Sequence, residues 1–181
     1  PVTVLVAGSA CGAVADEVAK LSGTVKVLLA DNDQYANPLA ENFTPLIISL
    51  AEDYTHILAP ATTFGKNLLP RVAALLDVQQ ISEITAIHDA NTFERPVYAG
   101  NAIATVQSSG PIKLLTVRAT AFEAAIAGNT VAEIMPIDAT EDINQSKFIS
   151  TELTKSDRPE LTQAKIIISG GRGMQNGENF A

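Results

Sequence analysis

One stretch constrains the fold more than any other. Residues 56–82, HILAPATTFGKNLLPRVAALLDVQQIS, carry a strand, a turn, a helix and the next strand in succession. Ile57 and Leu58 form a short apolar run closed by Pro60, and Thr62 and Thr63 offer hydroxyls that cap a helix beginning near Phe64. Leu68, Leu69, Val72, Leu75 and Leu76 recur at helical spacing, while Lys66, Asn67, Arg71 and Asp77 fall largely off that face. Pro70 lies inside the pattern, which predicts a kink or a tightening there. A strand feeding a helix that returns to the next strand is the repeating unit of a parallel sheet.

The residues before this stretch spell the same unit. Residues 2–7 form a strand rich in β-branched side chains; a turn over 8–12 leads to a helix with Val14, Val18 and Leu21 on one face. Residues 25–30 are a second strand with Asp31 at its C-terminal end. Residues 39–51 read as a helix with Phe43, Leu46, Ile47 and Leu50 at core spacing and Pro45 near its start, where proline is best tolerated. Three strand-helix pairs call for right-handed crossovers and helices on the faces of the sheet.

Beyond the third helix the pattern changes. Residues 84–88, 93–99, 102–106 and 112–118 are strand-like, and the breaks at 89–92, 100–101 and 108–111 are too short to hold crossover helices. All four are therefore expected to run antiparallel, with Pro96 marking an edge or the start of its strand. Residues 124–146 lack a period and read as loop. Residues 148–155 alternate as a strand, 156–161 (SDRPEL) form a hinge or linker, and 164–169 are a final strand. The expected architecture is α/β and three-layer: a mainly parallel sheet with flanking helices and an added antiparallel meander. The expected division is a domain over 1–160 and the start of a second over 161–181. Pro1 enters a strand at once and the chain stops soon after a glycine turn, which predicts a fragment of a longer protein.

Composition excludes several classes. A net charge of −8, from 12 basic and 20 acidic side chains, disfavours a nucleic-acid backbone or an anionic membrane as the main partner. A single cysteine forms no internal disulfide and favours a reducing compartment, so a cytoplasmic setting is expected. No stretch is apolar for long enough to span a bilayer, and no membrane insertion is expected.

Candidate chemistry is sparse. Cys11 stands where the first strand turns into a helix, a position that can lower a thiol pKa, but it has no evident His partner and reads as a small packing residue ahead of a catalytic or redox one. His56 and His88 lie beside strands without metal-ligand spacing, and no acid/base pair can be nominated, so no catalytic and no metal-binding residue is assigned. The turn AGSACGA and the acid Asp31 resemble a dinucleotide fingerprint in outline. The spacing fails, because counting from Gly8 the second and third glycine positions are Ala10 and Ala13, and a GxxxxGK[ST] loop is absent. The stronger signal is SGGRG, residues 169–173. Its glycines allow backbone N–H groups to converge as an anion nest, and Arg172 adds a guanidinium suited to phosphate or an electron-rich ring. The competing reading is a flexible inter-domain turn with a solvated arginine.

Three stretches, APATTFGKNLLPRVAALLDVQQISEI, TFERPVYAGNAIATVQ and KSDRPELTQAKIIISGGRGM, in this order, resemble the alpha subunit of the electron transfer flavoprotein family, and the resemblance runs from Pro1 to the end. It implies an electron carrier, not an enzyme: an alpha–beta heterodimer with one FAD that serves fatty-acid β-oxidation. The FAD takes electrons from acyl-CoA and other dehydrogenases and passes them to a quinone oxidoreductase at the membrane. It implies a cytoplasmic setting in a bacterium and the mitochondrial matrix in a eukaryote. The part before about Pro159 corresponds to an N-terminal α/β domain that packs on the beta subunit and holds no nucleotide; the FAD domain begins at the strand over 164–169. The family's FAD-contacting arginine carries over to Arg172, flanked by Gly171 and Gly173. The family's first strand and helix and most of its FAD domain, including Ser-Arg and Gln-Thr-Gly stretches, have no counterpart in these residues, so this chain alone is expected not to bind FAD usefully. The alternatives are a stand-alone AMP- or ATP-binding module using Gly8, Asp31 and Thr62, and an NAD-dependent enzyme, which would need a third glycine and a partnered catalytic histidine.

Overall fold

A computed structural model describes residues 1–152 and 166–180. They fall into two compact units, Pro1–Phe148 and Ile149–Ala181. In the first, β1 (Val2–Gly8), α1 (Gly12–Val18), β2 (Thr24–Asp31), α2 (Ala40–Leu50), β3 (His56–Pro60), α3 (Thr63–Leu76) and β4 (Gln80–Ile84) alternate as the sequence predicts. Then come β5 (Ala86–Ile87), β6 (Thr92–Val97), β7 (Ala102–Gln107), β8 (Lys113–Val117) and β9 (Glu133–Pro136). β1, β2 and β9 form one parallel sheet in the order β1-β2-β9, and β3, β8 and β4 a second in the order β3-β8-β4. β5, β6 and β7 form an antiparallel sheet.

Alternation along the strands builds the layers. Val4 and Val6 of β1, with Val27 and Leu29 of β2, pack with Ala15 and Ala19 on one face. Leu5, Ala7 and Ala30 pack on the other face with Phe43 and Leu46 of α2 and Leu68, Leu69 and Val72 of α3, joined by Ile57, Ala59 and Leu114 of the second sheet. The first sheet thus lies between α1 and the α2–α3 pair, and the second between that pair and the antiparallel sheet, an α/β three-layer arrangement.

Two helix faces differ from expectation. The face of α1 that meets the sheet is Ala15 and Val18, continued by the C-cap Ala19, with Ala15 and Ala19 fully buried; of the expected stripe Val18 packs there, whereas Val14 is 54% exposed and Leu21 lies further beyond the helix. In α3, Ala73 is buried and Leu75 is 61% exposed. Alanines let a helix axis come close to the sheet, and that closeness, more than side-chain size, decides which stripe is covered. α3 starts as predicted: the Thr62 hydroxyl accepts from Gly65 N–H at 3.3 Å. The helix runs on through Pro70 to Asp77, a left-handed cap. Pro45 sits a turn inside α2, where the Thr44 hydroxyl bonds the Ala40 carbonyl at 2.6 Å.

Residues 112–118 are the main correction. β8 is not the last strand of a meander but the centre of the second parallel sheet, with Leu114, Leu115 and Thr116 buried on both faces. The whole antiparallel sheet serves as the crossover from β4 to β8, which is why no helix was needed between them. Pro96 lies in the middle strand of that sheet, but β5 pairs only as far as Glu94, so the missing N–H interrupts no ladder with β5. β9 falls in the stretch over 124–146 expected to be loop, and is a short strand beside β2.

The second unit also departs from expectation. Residues 148–152 carry no strand, and 153–155 lie outside the described residues, as does the SDRPEL hinge. Of the final strand over 164–169, residues 164 and 165 are not described and 166–169 are not a strand. Ile166, Ile167 and Ile168 are exposed, with no strand paired to them among the described residues. A strand needs a neighbour for its backbone groups.

Candidate functional site

The turn after β1 is held from within. The Asp31 carboxylate, at the end of β2, accepts from Ala10 N–H at 2.7 Å and from Cys11 N–H at 3.2 Å, and the Ser9 hydroxyl donates to Asp33 at 2.6 Å. These amides open α1, where a dinucleotide fold presents N–H groups to a pyrophosphate. Here an internal carboxylate takes them, so Asp31 is the anion of this turn and not a ribose-binding acid. Burial, and then the negative charge of Asp31, push the Cys11 thiol above its ordinary pKa. The thiol is kept protonated, the opposite of an activated nucleophile. Thr62 is occupied as the cap of α3.

Both histidines brace loops. His56 pairs through Nδ1 with the Thr55 hydroxyl at 2.9 Å and through Nε2 with the Ala90 carbonyl at 2.6 Å. His88 Nε2 meets Glu94 Oε1 at 2.8 Å across the β5–β6 pair. Among the described residues no group of three or more His, Cys, Asp and Glu side chains is placed to hold a metal, and no helix is long and apolar enough to cross a membrane.

SGGRG turns differently from expectation. Gly171 is extended, with φ −78° and ψ −178°, and Arg172–Met174 is a single 3-10 turn closed by Met174 N–H on the Gly171 carbonyl at 3.0 Å. None of Gly170, Gly171 and Gly173 has positive φ, so the alternating right- and left-handed path of a nest is not formed. A Cβ on Gly170 would stand 2.5 Å from the Phe180 ring and 2.7 Å from Met174 Cγ, so those two side chains would have to shift to admit it. Gly171 and Gly173 have nothing within 4 Å of an added Cβ, and Arg172 is exposed.

A cluster unforeseen in the sequence lies between α3, β4, β6 and the end of β8. Glu83 meets Lys66 through one carboxylate oxygen and Arg118 Nη2 through the other at 3.1 Å. Arg95 Nε donates to the Ser82 carbonyl at 3.0 Å. The buried Thr116 hydroxyl accepts from Glu83 N–H at 2.8 Å, fixing Glu83 in a left-handed conformation with φ 56°. The Lys66 hydrogen bond, opposed by partial burial and helped by Arg118, holds the Glu83 carboxyl below its ordinary value of 4.5. A carboxyl depressed in the folded state stabilises the fold above its unfolded pKa, and the contribution fades as pH falls through the folded one. Glu83→Gln should therefore melt below the parent at neutral pH, with the gap closing once pH drops under 4.5. Thermal melts of both proteins across that range check it; a gap independent of pH would assign the loss to packing.

The family model described as "Electron transfer flavoprotein domain" matches residues 1–142. The chain belongs to the electron transfer flavoprotein domain family. It is 59% identical over 177 residues to electron transfer flavoprotein subunit alpha of Pseudomonas aeruginosa, covering 98% of this chain and 57% of that protein. It is 51% identical over 180 residues to the subunit alpha of Paracoccus denitrificans, covering 99% of this chain and 58% of the relative. Against the mitochondrial subunit alpha of Dictyostelium discoideum it is 50% identical over 194 residues, covering 99% and 55%. The chain spans about half the length of the curated relatives it matches. In this electron transfer flavoprotein domain the nucleotide-like turn is filled by Asp31, and nothing in the sequence besides the position of an acid at a strand end signals it. The ion cluster gave no signal at all, because Lys66, Glu83, Arg95 and Arg118 are scattered along the chain.

Proposed function

We propose that this chain is part of the alpha subunit of a heterodimeric electron transfer flavoprotein, in which one FAD takes electrons from acyl-CoA and other dehydrogenases and passes them to a quinone oxidoreductase. The observation that carries this reading is identity of 50–59% to subunits named alpha, from two bacteria and a mitochondrion, over nearly the whole chain. The proposed division is a scaffold domain over 1–160, which docks the beta subunit, and the beginning of the FAD domain over 161–181. The setting is the cytoplasm of a bacterium or the mitochondrial matrix.

Arg172, Gly171 and Gly173 are the proposed FAD contacts in this chain. The donor set fits: an exposed guanidinium, the N–H groups that open the 3-10 turn, and two open glycines that let a ligand come close to the backbone. FAD supplies the redox chemistry when bound; the protein's part is to orient it and control solvent access. In the longer polypeptide paired with its beta subunit, Arg172→Ala should weaken FAD binding by about tenfold, the scale of one charge-assisted hydrogen bond. Flavin fluorescence titration measures it, and unchanged affinity would remove Arg172 from the site. The 181-residue chain alone should give a bare polypeptide mass in native mass spectrometry; a mass raised by one FAD would overturn the proposed division.

A further inference from the structure

The cluster around Glu83 opens on a cleft of about 540 Å³, walled by Glu83, Arg95, Pro96, Tyr98, Ala99 and Arg118. We propose that this cleft docks an acidic segment of a partner protein, seating a carboxylate between Arg95 and Arg118 and an apolar side chain against Tyr98. The proposal does not depend on the flavin reading.

Three independent observations support it. The first is charge. In a chain of net −8, three cations, Lys66, Arg95 and Arg118, gather around one acid, Glu83, leaving two positive charges in excess. Both carboxylate oxygens of Glu83 are already engaged, by Lys66 and by Arg118. Arg95 spends only its Nε, on the Ser82 carbonyl, and its terminal nitrogens have no partner among the described residues. Two guanidinium groups in one cleft suit a planar carboxylate.

The second is backbone strain. Three of the seven non-glycine residues with positive φ among the described residues stand in this one cleft: Glu83 at 56°, Tyr98 at 51° and Ala99 at 54°. A hairpin connection requires such angles somewhere between β6 and β7, and Gly100, at 89°, meets that need cheaply. It does not require a tyrosine, for which the left-handed region costs about 1–2 kcal/mol; Glu83 has its own cause, the irregular β4–β8 register between Ile81 and Ile84 and the Thr116 hydroxyl that holds it. Strain of this kind gathers where a surface is shaped for a ligand.

The third is the exposed aromatic. Tyr98 is 80% exposed at the hairpin tip, with Pro96 beside the cleft and its half-exposed register partner Ile103 on β7. Tyrosine and arginine around an apolar rim is the composition of an interface hot spot.

The test uses two fluorescein-labelled peptides, one alternating glutamate and leucine, the other glutamine and leucine. Anisotropy is read on the 181-residue chain at about 0.15 M ionic strength, where the Debye length of about 8 Å screens its remote negative charges. The glutamate peptide should bind about tenfold tighter than the glutamine peptide, and Arg95→Gln should erase most of that preference. Tyr98→Ala, an exposed position outside the core, should weaken both peptides alike. Lys147→Gln, an exposed lysine outside the lining of the cleft, should change nothing. Circular dichroism melts verify that each variant is folded, and Tyr98→Ala carries the test should Arg95→Gln fail to fold. Equal affinity for the two peptides, or equal losses in Lys147→Gln and Arg95→Gln, overturns the proposal. So does inorganic phosphate displacing the glutamate peptide where acetate does not, since the cleft would then be a phosphate site.

Discussion

Gly65→Ala is expected to lower the stability of the first unit by about 3 kcal/mol, the upper end of the usual cost of overpacking. The sign is what makes this test decisive. Replacing glycine by alanine inside an exposed helix gains about 1 kcal/mol, because alanine loses less conformational freedom on folding. At this position the new Cβ would stand 2.1 Å from the Pro60 carbonyl oxygen, 3.2 Å from its carbon and 3.4 Å from Ala59 Cβ. That oxygen belongs to the last residue of β3, held in register by β8, so the strand cannot yield without losing its pairing. The helix must lift instead, and α3 carries Leu68, Leu69, Val72 and Ala73 into the largest core cluster. A chain of this size loses about 2–4 °C of melting temperature per kcal/mol, so a fall of roughly 6–12 °C is expected. Urea titration followed by circular dichroism would give the same ordering. A rise in melting temperature would mean that the start of α3 does not sit on Pro60.

Gly65 also illustrates what a sequence hides. The strand-helix-strand unit around it was legible because each signal is local: an apolar run, a capping threonine, leucines at helical spacing. Which stripe of a helix is covered was less so. Val14 and Leu75 have the right size for a core and lie exposed, while Ala15, Ala19 and Ala73 are buried, because how near a helix lies to its sheet is decided by partners far along the chain. The placement of β8 was hidden for a related reason. Antiparallel neighbours and a short connection made a meander the economical expectation, yet Leu114, Leu115 and Thr116 are buried on both faces, the mark of a central parallel strand. Asp31 could be seen at a strand end, but only the fold shows that its two oxygens meet the amides of Ala10 and Cys11. The cluster of Lys66, Glu83, Arg95 and Arg118 has no local signature, since its members come from four elements or their ends.

Phe93 joins the antiparallel sheet to the rest of the first unit, and Phe93→Ala should cost about 3–5 kcal/mol. Its ring is 1% exposed and packs with Ile81 and Ile84 of β4 and Leu115 of β8, with Val106 and Val117 around them. His56 approaches edge-on with ring centres 6.5 Å apart while holding the Ala90 carbonyl. Removing the ring leaves a void that the cross-strand partner Val106 is too small to fill. The damage should be regional. β5, β6 and β7 form their own sheet and bury against the parallel strands mainly through this cluster, so amide exchange over residues 86–107 should accelerate more than over β1 or β2. Arg95 shares a strand face with Phe93, so the cleft lined by Arg95 and Tyr98 should lose its shape together with the sheet. Hydrogen exchange read by mass spectrometry separates the cases. Faster exchange confined to 86–107 supports a sheet docked by one aromatic side chain, whereas uniform acceleration across the unit would show that Phe93 belongs to a single indivisible core.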